Sequence, residues 1–174
     1  MSPSIELVPY CPEWPAQFEA ERQVLEAALA PWLVGEIQHI GSTSVIGLLA
    51  KPVIDIMAPV SSLQGSEAAI AAAASAGYLH HPYRAEVMHW FCKPSPLVRT
   101  HHLHLVPLGS LLWQERLAFR NALRASPVLA EEYAALKRCL AARFPNDREA
   151  YTQAKTPFVL RVLSLGESQR KDAS

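Results

Sequence analysis

The sequence predicts an α/β or α+β fold, in which a mixed sheet is flanked by helices and followed by a helical C-terminal subdomain. Two apolar runs of strand length, 33–40 and 52–60, lie between turn residues in the first part of the chain. From Ser110 onward the apolar spacing is that of helices. We therefore expect a core over residues 1–107 and helices over 108–174, packed together as one compact unit.

Helices are also predicted in the first part of the chain. Pro31 ends the first of them, and Gly77 closes the third as a left-handed cap. The predicted extents are Pro12 or Trp14 to Leu29, Ser42 or Thr43 to Leu49, and Ser66 to Ala76. Two further strands, 86–93 and 97–106, flank a Pro-Ser-Pro turn and predict an antiparallel hairpin.

Capping residues mark the helices of the C-terminal part. Ser110 is the predicted cap of a helix to about Ala125, and Ser126 followed by Pro127 predicts a restart. Asn146, with a glutamate three residues later, predicts a capping box for one last helix.

Composition excludes several classes of protein. Lys plus Arg and Asp plus Glu each number 16 in 174 residues, so the net charge is zero and a dedicated nucleic-acid or membrane-surface binder is not expected. The three cysteines are far apart, as in a protein with idle thiols. The chain has neither an apolar run of about 18 residues nor the pattern of a secretory signal, which predicts a cytoplasmic protein without a membrane span.

A glycine and three hydroxyl residues, Gly41, Ser42, Thr43 and Ser44, lie where a predicted strand leads into a helix. Backbone N–H groups and the helix dipole at such a bend favour an anion. We therefore predict that these four residues bind phosphate.

A single carboxylate, Asp55, interrupts the apolar run of the second strand. Side chains alternate along a strand, so Lys51 and Met57 share its face while Ile54 and Ile56 take the other. A carboxylate in such a run binds a metal or pairs with a cation. Both interpretations remain open here: a functional acid, or one neutralised for structural reasons.

Two histidines, His102 and His104, are predicted to share one face of a strand. Two imidazoles on one face, together with a carboxylate from a neighbouring strand, suit a divalent metal. The alternative is a pair of polar side chains that are hydrogen-bonded near a pocket.

Several segments together resemble the GrpB family, also called UPF0157, whose activity is uncharacterised. They are VPYCPEWPAQFEAE (8–21), HIGSTSVIGLLAKPVIDI (39–56), HHLHLV (101–106) and the helical stretch 117–159, and the likeness covers about 6–165. The family is similar to nucleotidyltransferases of the DNA polymerase β type.

That resemblance implies a small mixed nucleotidyltransferase-like sheet flanked by helices. Gly41 and Ser42 match the glycine-serine turn that binds a triphosphate, and Asp55 matches the first acid of an Asp-x-Asp or Asp-x-Glu pair that binds magnesium. Arg120 and Lys155 are the basic residues expected to join Lys51 in neutralising phosphate charge.

The chain departs from this pattern at the metal-binding acids. Met57 stands in place of the second acid, and His102 and His104 stand where a third acid is expected. Two-metal transfer needs several carboxylates, so one metal is expected instead. Departures from the GrpB pattern itself are Gln38 for glutamate, Ile46 for proline and Asn121 for aspartate.

Three hypotheses follow. The first is an enzyme, with nucleotidyl transfer as the candidate reaction. It would bind a nucleotide or phosphorylated small molecule with one divalent metal, for which magnesium and manganese are preferred over zinc. Asp55 and Lys51 are its predicted catalytic residues, and Asp55, His102 and His104 its predicted metal ligands. The second is a non-catalytic module that senses a nucleotide or binds a protein. The third is a metal-dependent hydrolase.

Overall fold

The computed structural model describes the backbone of residues 4–172 and the side chains of residues 4–166. It contains a mixed sheet with helices, so the predicted α+β class is confirmed. In chain order the strands and helices are α1 (Trp14–Leu29), β1 (Gln38–Ile40), β2 (Ile54–Val60), α2 (Ala69–Ser75), β3 (Leu79–His81), β4 (His89–Pro94), β5 (Arg99–Pro107), α3 (Leu111–Ala125), α4 (Pro127–Arg143), α5 (Arg148–Gln153) and α6 (Thr156–Asp172).

The five strands lie in the order β1-β2-β5-β4-β3. The β2 and β5 strands pair in parallel, and the other three pairings are antiparallel. Parallel neighbours need a long crossover, which α2, β3 and β4 supply here. The antiparallel pairing of β4 with β5 confirms the predicted hairpin.

The sheet has two differently covered faces. On one face, Ile54, Ile56, Leu103 and Leu105 form a buried apolar cluster with residues of α1 and α2. On the other face, Met57 packs with residues of β4 and α3. The predicted alternation along the second strand is therefore present, and the face that carries Asp55 lies toward the C-terminal helices.

Several elements of the first part are shorter than predicted, two of them markedly. The 33–40 run forms a strand only over Gln38–Ile40, because the chain touches the end of β2 through a single bridge at Leu33 and then turns. The helix predicted to Leu49 is a 3₁₀ turn over Ser42–Ser44, with Gly41 as its cap. Val45 is already extended and Gly47 has a positive φ of 79°, so no helix continues.

The caps at Gly77, Ser110 and Ser126 are confirmed, the two serines by hydrogen bonds from the backbone N–H groups of Trp113 and Leu129. The cap predicted at Asn146 is wrong, because the side chain of Asp147 accepts the hydrogen bond from Ala150 N–H. The predicted last helix is two helices, α5 and α6, which a break at Ala154 and Lys155 separates.

The short edge strand β3 was not predicted. Its three residues include two histidines and give no strand-like pattern. In the part of the chain that the structure describes, no helix is both long enough and apolar enough to cross a membrane.

Candidate functional site

A cleft of about 1370 Å³ lies between the second face of the sheet and the C-terminal helices. The 41–43 turn, the start of β2, and parts of β5, α3, α4 and the α5–α6 segment all contribute to it. Eight Lys and Arg residues line the cleft, against four Asp and Glu residues. A chain with no net charge therefore has a locally basic cleft, which favours an anionic ligand.

Asp55, His102 and His104 meet at the floor of this cleft. Asp55 lies opposite His102 in the β2–β5 register, and Met57 lies opposite His104, so alternation brings both imidazoles beside one carboxylate. The Oδ1 atom of Asp55 is 2.9 Å from His102 Nδ1 and 3.6 Å from His104 Nε2. One ligand atom from each residue lies within 4.8 Å of the others, which suits one divalent ion.

The protonation of these groups suits a metal. Burial raises the pKa of Asp55, but the hydrogen bond from His102 and the nearby ring of His104 outweigh it and hold that pKa well below its usual range. Burial lowers the pKa of His104 to about 4, so its imidazole is neutral at pH 7. Nε2 of each histidine is buried without a hydrogen-bond partner. Ionised carboxylate and neutral imidazole are the forms that bind metals.

The glycine-serine turn lies directly against this acid. Gly41 has a φ of 71°, which places the backbone where a side chain is strained. The three hydroxyls that follow differ in their partners. Thr43 donates to Val53 C=O and accepts from His39 Nε2, and Ser44 donates to Gly41 C=O. Ser42 instead contacts a lysine and lines the cleft.

Lys51 and Lys155 lie over the same ring. Their Nζ atoms are 5.1 Å and 4.6 Å from the centre of Tyr151. Burial lowers the pKa of Lys51, and it lowers the pKa of Lys155 to about 7. The structure thus brings together both lysines that the sequence singled out, near Asp55.

Arg120 lies at the rim of the same cleft and has neutral acceptors. Its guanidinium donates to the side chains of Gln38 and Asn121 and to the carbonyl of His39, each at 3.0 Å. None of these acceptors carries a charge, so the positive charge of Arg120 is not neutralised by them. The guanidinium of Arg120 can therefore pair with an anion bound in the cleft.

Lys137 was not singled out from the sequence, where it is one of several basic residues on predicted helices. In the structure it is 2% exposed, and its Nζ donates to Ser42 Oγ at 3.0 Å and to Leu49 C=O. Burial lowers its pKa to about 7. Its place on the turn-facing side of α4 depends on a contact across 95 residues, which local spacing does not reveal.

The family model for the GrpB protein matches residues 4–164. The chain belongs to the GrpB family. The glutamate-rich protein GrpB of Alkalihalophilus pseudofirmus is 35% identical over 163 residues, which cover 91% of this GrpB chain and 93% of that protein.

A crystal structure of the conserved protein GrpB from Enterococcus faecalis superposes on this GrpB chain with a TM-score of 0.83 at 31% identity. The match covers 97% of this chain and all of that one. A Cid1 poly(U) polymerase aligns with 84% of this chain and 49% of its own at 12% identity, with a TM-score of 0.49. That weaker likeness lies below the level at which we conclude a shared fold.

The structure shows where the residues lie that depart from the expected sequence patterns. Met57 is fully buried in the apolar cluster beneath the triad, so it supplies no second acid. Gln38 and Asn121 are both acceptors for Arg120. Ile46 is 82% exposed beyond the turn.

Proposed function

We propose that the protein is a single-metal enzyme that binds a nucleotide or another phosphorylated small molecule and transfers its phosphorus-bearing group. One observation carries the proposal: the Asp55–His102–His104 triad opens into the same cleft as the hydroxyl turn and an excess of basic side chains. A metal beside a cationic phosphate site is the common requirement of this chemistry.

Asp55, His102 and His104 would hold the metal. The Nε2 atom of His104 is buried without a hydrogen-bond partner and lies 3.6 Å from the carboxylate of Asp55. A cation bound between these two groups would give Nε2 the partner that it lacks. A divalent ion bound there supplies charge that polarises a phosphoryl oxygen. With one carboxylate and Met57 in the apolar core, the proposal includes one ion and not two.

The basic side chains would hold the phosphate groups. Lys51 and Lys155 lie together over Tyr151, and Arg120 lies at the rim with uncharged acceptors. Fixed cations aimed at developing negative charge lower the barrier to phosphoryl transfer. The backbone N–H groups of Ser42 and Thr43, at the start of the 3₁₀ turn, would add to the anion site.

The test is metal and nucleotide binding by thermal shift and calorimetry. Wild-type protein is titrated with Mn²⁺, Mg²⁺ and Zn²⁺, and then with ATP, GTP, CTP and coenzyme A in the presence of the ion that binds. A ligand at 100 times its Kd stabilises by about 2.7 kcal/mol, which raises the Tm of a protein this size by roughly 5–10 °C. No shift with any ion or nucleotide would refute the proposal.

The matched variants are Asp55→Asn and Glu67→Gln. The first removes the triad's carboxylate, and the second removes an exposed carboxylate outside the cleft. Metal binding should be lost in Asp55→Asn and retained in Glu67→Gln.

The missing second acid favours one other function, a module that binds a nucleotide without transforming it. Release of pyrophosphate or phosphate from the bound nucleotide distinguishes the two. Binding without turnover, and with unchanged affinity in Asp55→Asn, would support the sensing module. Tightly held zinc in the purified protein, with water as the acceptor, would instead support a hydrolase.

A further inference from the structure

Among the three hydroxyls of the turn, Ser42 has a distinct environment. Thr43 and Ser44 donate to backbone carbonyls, which commits their protons to the fold. Ser42 Oγ lies 3.0 Å from Lys137 Nζ and lines the cleft. Its oxygen accepts a hydrogen bond from Lys137 when that amine is charged, and its hydroxyl has the same nitrogen as a proton acceptor when the amine is neutral.

The surroundings of Lys137 favour a neutral amine. The side chain is 2% exposed, and within residues 4–166 no carboxylate forms an ion pair with it. Burial is the main cause that lowers its pKa to about 7, and the charges of Lys155, Arg138 and Lys51 add to this. The ring of Tyr133, 4.7 Å from Nζ, opposes them by favouring the charged form.

We propose that Ser42 is a nucleophile for which Lys137 is the general base, and that it accepts the nucleotidyl group of a nucleoside triphosphate bound in the cleft. The proposal rests on the proposed function for its electrophile, because the triphosphate must bind first. It adds a covalent intermediate, and it gives a role to a buried amine that phosphate binding alone does not use.

The lone pair of Lys137 Nζ takes the proton of the Ser42 hydroxyl while Oγ attacks the α-phosphorus. The Oγ–P bond forms, the bond from that phosphorus to the bridging oxygen breaks, and pyrophosphate leaves with the electron pair. Lys137 is then an ammonium ion next to the new phosphodiester.

The local backbone suits a nucleophile. Ser42 follows Gly41, whose φ of 71° makes a sharp bend between β1 and the 3₁₀ turn. A serine at a tight strand-to-helix bend is held away from its own backbone and exposed to a ligand. Lys137 Nζ donates to both Leu49 C=O and Ser42 Oγ in the structure. A neutral amine would keep the bond to Leu49 C=O and have a lone pair for the Ser42 proton.

The experiment uses diisopropyl fluorophosphate, which phosphorylates activated serines and needs neither metal nor nucleotide. We expect one adduct per chain, located at Ser42 by peptide mass mapping, with fluoride as the leaving group. Labelling should accelerate as the pH rises through about 7, where Lys137 loses its proton. Ser42→Ala should abolish the adduct, and Lys137→Met should slow its formation by about 100-fold or more.

Three further variants serve as controls for the labelling experiment. Lys137→Arg keeps a positive donor but provides no base at these pH values, so it should also lose labelling even if Lys137→Met does not fold. Ser75→Ala and Arg143→Met remove an exposed hydroxyl and an exposed charge outside the cleft, and both should label like wild type. No adduct at Ser42, or equal labelling rates in wild type and Lys137→Arg, would overturn the proposal.

The transfer itself is measured by intact mass after incubation with ATP, GTP, CTP or UTP and Mn²⁺. A nucleotidyl mass gain at Ser42 supports the step. Protein that reacts with the fluorophosphate but gains no nucleotidyl group from any of the four overturns it. Failure of the metal and nucleotide titrations would refute the proposed function separately, because the fluorophosphate reaction does not depend on them.

Discussion

A β-carbon on Gly41 would lie 2.5 Å from Oδ2 of Asp55. The backbone of the turn that we assign to phosphate therefore packs closely against the acid that we assign to a metal. This close approach requires that residue 41 has no side chain. Its φ of 71° and ψ of −175° also belong to a region that only glycine occupies readily.

We predict that Gly41→Ala destabilises the protein more than Gly47→Ala. Gly47 shares the positive φ, 79°, but a β-carbon there would meet open space, so its substitution costs roughly 1–2 kcal/mol. The clash with Asp55 should add about 1–3 kcal/mol to the cost at Gly41. Urea unfolding of the two variants measures the difference, and equal free energies of unfolding would contradict it.

Arg120→Gln should weaken binding of ATP and of inorganic tripolyphosphate. A hydrogen bond to a charged group contributes roughly 1.5–3 kcal/mol, so we expect about a 10- to 100-fold loss of affinity by calorimetry. Arg124→Gln is the control. Arg124 lies one turn further along α3, donates to Ser44 C=O and lines a separate groove. An equal loss in both variants would indicate a long-range charge effect and not a contact.

Lys137 should make stability depend on pH. Its pKa falls from 10.5 to about 7 on burial, so between these values the unfolded chain binds more protons than the folded one. Stability from this group therefore rises with pH above about 7, by up to about 1.4 kcal/mol per pH unit.

Lys137→Met should remove that part of the slope, and Arg143→Met should retain it. Urea unfolding at about pH 7.5 and about pH 9.5 gives the two slopes. A Lys137→Met slope equal to that of wild type would show that the lysine is charged in the folded protein.

Glu21 should be required for the stability of the fold and not for ligand binding in the cleft. It accepts from Lys93 Nζ at 2.5 Å and from the Tyr78 hydroxyl at 2.9 Å, beneath α1 on the face of the sheet opposite His102. Its side chain is 10% exposed.

Glu21→Ala leaves Lys93, whose side chain is only 20% exposed, without its acid, so we expect a loss of up to about 3–5 kcal/mol. Glu132→Ala breaks the exposed pair with Arg161 and should cost at most about 1 kcal/mol. Chemical denaturation measures both variants. Similar costs would contradict the distinction, as would lost Mn²⁺ binding in a folded Glu21→Ala protein if wild type binds the ion.

Local chemistry predicted several elements well. Ser110 and Ser126 begin helices because a serine oxygen satisfies the free N–H groups there, which requires no distant partner. The prediction of a strand over the whole of 33–40 was wrong because a strand exists only where a neighbour pairs with it. β2 pairs only with residues 38–40. The histidine-rich β3 was missed because its pairing with β4 provides the signal that its composition lacks.

The sequence by itself determined the alternation that places Asp55 on one face of its strand, and His102 and His104 together on one face of theirs, because side chains alternate with a period of two. Only the tertiary structure decided that β2 and β5 pair in parallel with Asp55 opposite His102. It also decided that Lys137 is buried against Ser42, 95 residues away. Strand register and the burial of a charge depend on packing between distant segments, whose energies no local pattern contains.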